Sequence, residues 1–316
     1  MQPILSIIVP CYQEEAVLPD TSKKLIQLLD EMIHQKQISE ASFVLLIDNG
    51  STDNTWKIIQ DVSGDKLIKG IKLPLNVGHQ NGLYAGFEYV QDKADCVVSI
   101  DADLQDDERA IKEMITLYKQ GNHVVYGVRD DRTSDSKFKR WSAEFFYKLM
   151  IFMGIKVVFN HADYRLMSKV AVKNFLQFNE RNLFIRGIVP LLGLPSAKVF
   201  YKRRERIAGE SKYPLKKLLS FAWEGITSFS VVPLKMITTI GFVIFFISII
   251  MGIYTLYIAL FTDRAIQGWA STTLPIYFLG GIQILSIGII GEYIGKIYKE
   301  TKNRPRYFIE KTTDDE

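Results

Sequence analysis

Residues 99–108 read SIDADLQDDE and follow directly on the apolar run Cys96-Val97-Val98. Five carboxylates in ten positions close a segment otherwise built for burial, in a chain whose net charge is +4. Residues i and i+2 of an extended chain share a face, so Asp101 and Asp103 leave the strand end near one point. Neighbouring carboxylates repel and call for a cation. Oxygen-rich sites suit Mg²⁺ or Mn²⁺, and Mg²⁺ is commonly shared with substrate phosphates. A solvated acidic loop is the alternative. The strand before the cluster and Leu104-Gln105-Asp106 after it favour a cation held against a diphosphate.

The same arrangement recurs upstream. The runs ILSIIVP (4–10), FVLLID (43–48) and IKGIKLP (68–74) read as strands, as do CVVSID (96–101) and HVVYGV (123–128). Between them, Val17 to Ile33 carries Leu18, Leu25, Leu29 and Met32 at helical spacing. Asp53 to Val62, Gly78 to Val90 and Asp107 to Tyr118 are further helix candidates. Strand–helix alternation predicts an α/β, mostly parallel sheet with helices on both faces. Ligands of such sheets bind beyond the carboxyl ends of the strands, where Glu14, Asp48, Asp101 and Asp103 fall. In IDNGSTDNT, Asn49-Gly50 supplies a tight turn and Ser51, Thr52 or Asp53 a cap for the next helix. LNVGHQNGL carries Gly78 at a turn suited to close approach by a ligand, and His79 beside it reads as an ordinary turn histidine, with contact to the donor as the alternative.

The second half has a different character. An aromatic-rich helix is expected from Phe138 to Met153, then a short strand near ADYRLMS. Residues 198–217 hold eight Lys or Arg, and Pro214 to Val231 has the spacing of an amphipathic helix on a membrane surface. No charged residue occurs between Lys235 and Asp263, or between Arg264 and Glu292. Each stretch exceeds the roughly 20 apolar residues that cross a bilayer as a helix. Lys and Arg flank the pair on its outer ends, so both ends are expected to face the cytoplasm. Residues 1–213 then form a cytoplasmic catalytic domain, 214–232 the interface helices, and 233–297 two transmembrane helices at about 235–262 and 272–296. Residues 298–316 form a cytoplasmic tail whose acidic end, TTDDE, is expected to fray. The start MQPILSIIVPCYQEE lacks the pattern of a signal peptide. Cys11 and Cys96 fall in strands and suit packing in a reducing compartment.

Taken together, IVPCYQEE, IDNGSTDNT, LNVGHQNGL and SIDADLQDDE resemble the GT-A fold of inverting glycosyltransferases, the large family 2. HADYRLM, RRERIAGESKYPLKKL, SFSVVPLK and GEYIGKIYKETKNRP are similar to the polyisoprenyl-phosphate glycosyltransferases within it, with the bactoprenol branch nearer because two spans follow the catalytic domain. The resemblance implies a nucleotide-sugar donor, a polyisoprenyl (undecaprenyl) phosphate acceptor in the cell membrane, and a β-linked product for cell-envelope glycans. Among donors, UDP-glucose comes first, UDP-N-acetylglucosamine next and GDP-mannose third.

The resemblance also carries roles onto positions. Pro10, Tyr12, Glu14 and Asp48 would hold the base and ribose, with Asn49 where relatives often have a second acid. Asp101, Asp103 and Gln105 would hold Mg²⁺ or Mn²⁺ and the diphosphate. Asp163 matches a proposed catalytic base, which with a phosphate acceptor would orient it or accept a residual proton, and Asp103 is the other residue on which catalysis would rest. Arg203, Arg206, Ser211 and Lys212 match a basic segment closing over the donor phosphates and the acceptor. After the fifth strand come Arg129, Arg132, Lys139, Arg140 and Ser142. One or two of these would bind the acceptor phosphate, or they form a solvated face touching anionic lipid.

A phosphate monoester has its second pKa near about 6, so the acceptor needs little help as a nucleophile. The barrier lies in leaving-group charge and in bringing two anions together. A homo-oligomer is expected from the membrane-surface helices, and no nucleic-acid partner is expected. A processive polysaccharide synthase is the rival, but its Gln-x-x-Arg-Trp motif is spoiled by Lys137 before Arg140-Trp141. A non-catalytic partner subunit would be expected to have lost Asp101, Asp103 or Asp163.

Overall fold

Strands β1 (Leu5–Cys11) and β2 (Phe43–Asn49) are buried along nearly their whole length, as expected of strands covered on both faces. The structure, a computed structural model, describes residues 2–103, 105–129, 161–181, 183–202, 232–261 and 269–314. These fall into two units. The first holds an eight-stranded sheet completed by β3 (Ile68–Leu73), β4 (Cys96–Ser99), β5 (Val124–Arg129), β6 (His161–Ser168), β7 (Ser196–Tyr201) and β8 (Lys311–Thr312). Its order is β7-β5-β6-β4-β1-β2-β3-β8.

The stretch β3-β2-β1-β4 is parallel throughout. Strand β6 runs antiparallel to both β4 and β5. This reversal brings the start of β6 to the edge where β4 ends, and it decides which residues meet at the site. Helices α1 (Leu18–His34), α2 (Thr55–Val62), α3 (His79–Val90) and α4 (Ala110–Lys119) make the crossovers. On α1 the buried residues include Leu18, Leu25, Leu29 and Met32, the stripe that the spacing predicts. Helix α5 (Lys169–Leu176) follows β6, and a single turn, α6 (Ile185–Ile188), precedes β7. The α/β sheet and its crossover helices thus agree with the sequence reading. Gly50, at φ +70°, turns the chain after β2, and a Cβ there would run into the Leu75 carbonyl carbon. Cys11 and Cys96 are buried free thiols, and burial raises both above the ordinary thiol range.

Up to Asp314, the last described residue, the chain is held in place. Residues 304–314 belong to the first unit, where β8 lies antiparallel on β3 and closes its edge. Arg306 donates to the carbonyls of Phe178 (3.0 Å) and Glu180 (2.8 Å) and lies over the Tyr84 ring. Asp314 accepts from Tyr89 at 2.6 Å and from Lys69 at 3.1 Å. Composition alone suggests a loose acidic end, but these specific donors hold it.

The second unit contains α7 (Val232–Phe261) and α8 (Trp269–Thr301), of 30 and 33 residues. At 1.5 Å per residue each is about 45–50 Å long. Phe242, Phe246, Ile250 and Ile253 on α7, and Ile284 and Ile287 on α8, are exposed. Helices therefore stand where the two spans are expected. Counting the described side chains alone, no helix is long and apolar enough to cross a membrane. The expected helices at 138–153 and 214–231 lie outside the described residues, as do Arg132, Lys139, Arg140, Ser142, Arg203, Arg206, Ser211 and Lys212.

Candidate active site

Two adjacent parallel strands end together at one side of the site, with Pro10 opposite Ile47 and Cys11 opposite Asp48. Asp48 is fully buried. Its Oδ1 accepts from the Ser51 backbone N–H at 2.9 Å, while Oδ2 has no hydrogen-bond partner among the described residues. Burial pushes this carboxyl up, against the Ser51 hydrogen bonds and Lys72. A buried acceptor left empty is costly, and the geometry is that of a group awaiting an N–H donor. Tyr12 follows β1 with 41% of its surface exposed, so its ring is open to solvent. The loop bearing Glu14 is tied down by its backbone: Gln13 N–H donates to Ser51 Oγ and Glu14 N–H to Thr55 Oγ1, both at 3.0 Å.

Asn49, which stands where relatives often have a second acid, has both polar atoms of its side chain engaged within the fold. Its side-chain oxygen accepts from Val77 N–H at 3.1 Å and its nitrogen donates to Asn76 at 3.3 Å. It holds the turn that leads into α3.

The acidic stretch after β4 divides by function. Ala102 is buried, and its carbonyl accepts from Thr21 Oγ1 at 2.6 Å. This anchors the backbone between Asp101 and Asp103. Asp103 accepts from the Gln105 backbone N–H at 3.2 Å, and Gln105 itself is buried. Asp106 is turned away from this pair: its Oδ1 accepts from Tyr201 Oη at 2.6 Å and from Arg129 Nη2 at 3.2 Å. Arg129 therefore does not stand free for an acceptor phosphate, as the sequence suggests. Register explains it, because β5 and β7 are parallel with Arg129 opposite Tyr201.

The reversal of β6 completes the site. Ser99 pairs with Arg165, so Asp163, two residues nearer the start of β6, arrives beside Asp101. His79, at the first position of α3, stands 3.7 Å from Asp101 and 3.7 Å from Asp163. Its reading as an ordinary turn histidine is thus corrected. Asp163 also takes Arg165 and Arg186: Arg165 Nη2 and Arg186 Nε reach Oδ1, and Arg186 Nη2 reaches Oδ2 at 2.9 Å. Burial would raise this carboxyl, but Arg186, Arg165 and His79 together hold it far below the usual carboxylate range. A carboxylate so paired accepts a proton poorly, so the catalytic-base role expected of Asp163 is not what its surroundings favour. Arg186 gave no signal in the sequence. Arg165 did, since it lies at i+2 from Asp163 on one strand and shares its face.

Residues 6–176 match Glycosyl transferase family 2, and residues 232–297 match the GtrB C-terminal hairpin. The chain belongs to glycosyl transferase family 2. Across 310 residues it is 50% identical to the glycosyltransferase YkoT of Bacillus subtilis (strain 168), covering 98% of this chain and 92% of that protein. It is 37% identical over 310 residues to the SfII prophage-derived bactoprenol glucosyl transferase of Shigella flexneri, covering 98% of each. Among solved structures, glucosyl-3-phosphoglycerate synthase from Mycobacterium tuberculosis shares 16% identity at a TM-score of 0.45, over 71% of this chain and 78% of that one.

As a family 2 member the protein is a glycosyltransferase with a GT-A sheet, and GT-A glycosyltransferases commonly use a divalent metal. Among the described residues no three His, Cys, Asp or Glu side chains are grouped to hold an ion by themselves. Two carboxylates are what a cation shared with substrate phosphates requires. Asp101 fits that use. Withdrawal from water raises its carboxyl; His79 opposes this, while Asp106, Asp163 and Asp103 add to it. Such crowding of negative charge is relieved by a cation.

Proposed function

We propose that this glycosyltransferase moves a sugar from a nucleotide sugar to a polyisoprenyl phosphate, with inversion at the anomeric carbon. The observation that carries the reading is the row Asp163, Asp101, Asp48 across β6, β4, β1 and β2. It runs from a carboxylate held by cations, through an anion-rich strand end, to an empty buried acceptor. The base of the donor would meet Asp48 Oδ2 and Tyr12, with Pro10 and Glu14 alongside. Asp101 and Asp103 would hold Mg²⁺ or Mn²⁺, which when bound neutralises the diphosphate leaving group. His79 positions Asp101 against Asp163. The acceptor phosphate is already ionised near neutral pH, so the chain need only orient it. Attack opposite the diphosphate would yield a β-linked product.

The lipid acceptor is supported by the full-length likeness to proteins named bactoprenol glucosyl transferase. The GtrB-type hairpin and the exposed apolar residues on both long helices support membrane spans at about 235–262 and 272–296. With Lys and Arg outside those spans, the catalytic domain and both termini would face the cytoplasm. We take UDP-glucose as the first donor, ahead of UDP-N-acetylglucosamine and GDP-mannose, and a homo-oligomer as the working assembly. Arg203, Arg206, Ser211 and Lys212 keep their proposed role at the donor phosphates, and Arg132, Arg140 and Ser142 theirs at the acceptor.

The test is transfer of radiolabel from each of the three nucleotide sugars to undecaprenyl phosphate by the full-length protein in detergent with Mn²⁺. One donor should give a lipid-extractable product. No lipid product from any of the three would overturn the acceptor assignment.

A further inference from the structure

Asp106 lies in the same acidic loop as Asp101 and Asp103, yet it is buried, with 2% of its surface exposed. Tyr201 Oη donates to its Oδ1 at 2.6 Å and Arg129 Nη2 at 3.2 Å. Arg129 Nε also reaches Tyr201 Oη at 3.4 Å, so the three side chains close a triangle. They come from the loop after β4 and from the last residues of β5 and β7, with β6 lying between β4 and β5 in the sheet. Burial and the neighbouring Asp106 push the Tyr201 phenol up, so it remains an O–H donor. For stability alone such a cluster is a poor choice, since apolar residues of similar volume often serve a core as well or better. What a buried, hydrogen-bonded charge supplies is a single geometry.

That geometry is passed on to the carboxylates nearby. Gln105, next to Asp106, donates its backbone N–H to Asp103 at 3.2 Å, so fixing Asp106 also fixes the donor that Asp103 accepts from. Asp107 is tied down as well. Its carbonyl accepts from Tyr164 Oη at 2.9 Å, and the Tyr164 ring packs edge-on against Tyr201, with centroids 5.2 Å apart. Tyr164 adjoins Asp163 on β6, so the loop is fastened to the strand that carries that carboxylate. On the other side of Asp103, the Ala102 carbonyl is held by Thr21. Asp103 therefore lies between fixed points. Asp101 and Asp103 repel one another, and in a loose loop they would part whenever no cation is bound. Drawing them together again would subtract from cation affinity, a cost that preorganisation removes.

We propose that Tyr201 and Arg129, acting through Asp106, are positioning residues that hold Asp101 and Asp103 at the spacing a divalent cation requires. The inference rests on the reading of those two aspartates given above and deepens it. Arg129, considered from the sequence for the acceptor phosphate, thus serves the donor side.

Its test uses full-length wild type, Tyr201→Phe and Arg129→Lys in detergent. UDP and GDP are each titrated into the wild type with Mn²⁺ in calorimetry, and the one that binds becomes the probe. Its affinity is then measured over a series of Mn²⁺ concentrations for all three proteins. Tyr201→Phe removes one hydroxyl and keeps the ring against Tyr164. It should need about tenfold more Mn²⁺ for half the full effect, as for outer partners of metal-ligating groups. At saturating Mn²⁺ its nucleotide affinity should return to the wild-type value, which a general loss of structure would not allow. Arg129→Lys keeps the charge without the fork and should shift the Mn²⁺ dependence in the same direction. It carries the test alone if Tyr201→Phe does not fold. An unshifted Mn²⁺ dependence in both variants, or a loss of affinity that Mn²⁺ does not restore, would overturn the proposal. Binding of neither nucleotide, or a wild-type affinity indifferent to Mn²⁺, would overturn the donor-site reading itself and this inference with it.

Discussion

Asp48 and Asp163 stand at opposite ends of one site and are treated in opposite ways. Asp48 is buried with one oxygen satisfied and the other empty, and burial raises its carboxyl. Asp163 carries cations on both oxygens, and they hold its carboxyl far below the usual range. The first is a group prepared for a partner that arrives from outside, at a standing cost to the fold. The second has its partners built in and contributes to the fold. A carboxylate in an active site is thus not a single kind of object: its surroundings decide whether it binds, positions or ligates.

Asp103→Ala tests the midpoint of this contrast and should have the largest effect. Transfer should fall about a thousandfold with the melting temperature unchanged. Loss of less than tenfold would remove the cation from the account. Asp163→Asn should come next, and in stability. Breaking a buried pair by removing one partner costs about 3–5 kcal/mol, and chemical denaturation would read it. Asp48→Asn should do the reverse. Nucleotide affinity should drop about tenfold to a hundredfold, as for a lost hydrogen bond to a charged group, with stability equal or higher. A destabilisation matching that of Asp163→Asn would break the contrast.

The two also differ in their dependence on pH. Asp163 has a folded pKa below its unfolded value of about 3.9, so its contribution is present above that value and lost as pH falls below it. Asp48 has a raised folded pKa, so the fold loses stability as pH rises from about 3.9 through that higher value. Denaturation should show Asp163→Asn deviating from wild type below about pH 3.9 and Asp48→Asn deviating above it, with opposite slopes. The smallest effect belongs to Asp314→Asn at the chain end. As an exposed ion pair it should cost less than about 1 kcal/mol, and a larger loss in the same assay would mean that the β8 edge bears more of the fold than its surface pairs suggest.

Much of this was legible in advance for a physical reason. Strands such as FVLLIDN and CVVS announce themselves by composition, and the edge at which parallel strands end follows from the alternation with helices. Asp48, Asp101 and Asp103 were therefore found from their positions at strand ends. Arg129 also sits at a strand end, yet its guanidinium turns to Asp106, because the β5–β7 register brings Tyr201 alongside. Asn49 stands where relatives often have a second acid and is a brace for the next loop. His79 looked like part of a turn and faces two carboxylates. In each case the side chain's partner comes from an element distant in the chain.

The amino-acid sequence by itself determined the strands, their crossover helices, the acidic edge and the family, because burial patterns and short motifs are local properties of a chain. Tertiary structure alone decided that β6 runs against its neighbours, and so that Asp163, His79 and Arg186 meet beside Asp101. It also decided that the chain end returns to β3. Those outcomes depend on pairing between segments tens to hundreds of residues apart, where the choice of partner is made by packing and register and leaves no periodic trace in either segment.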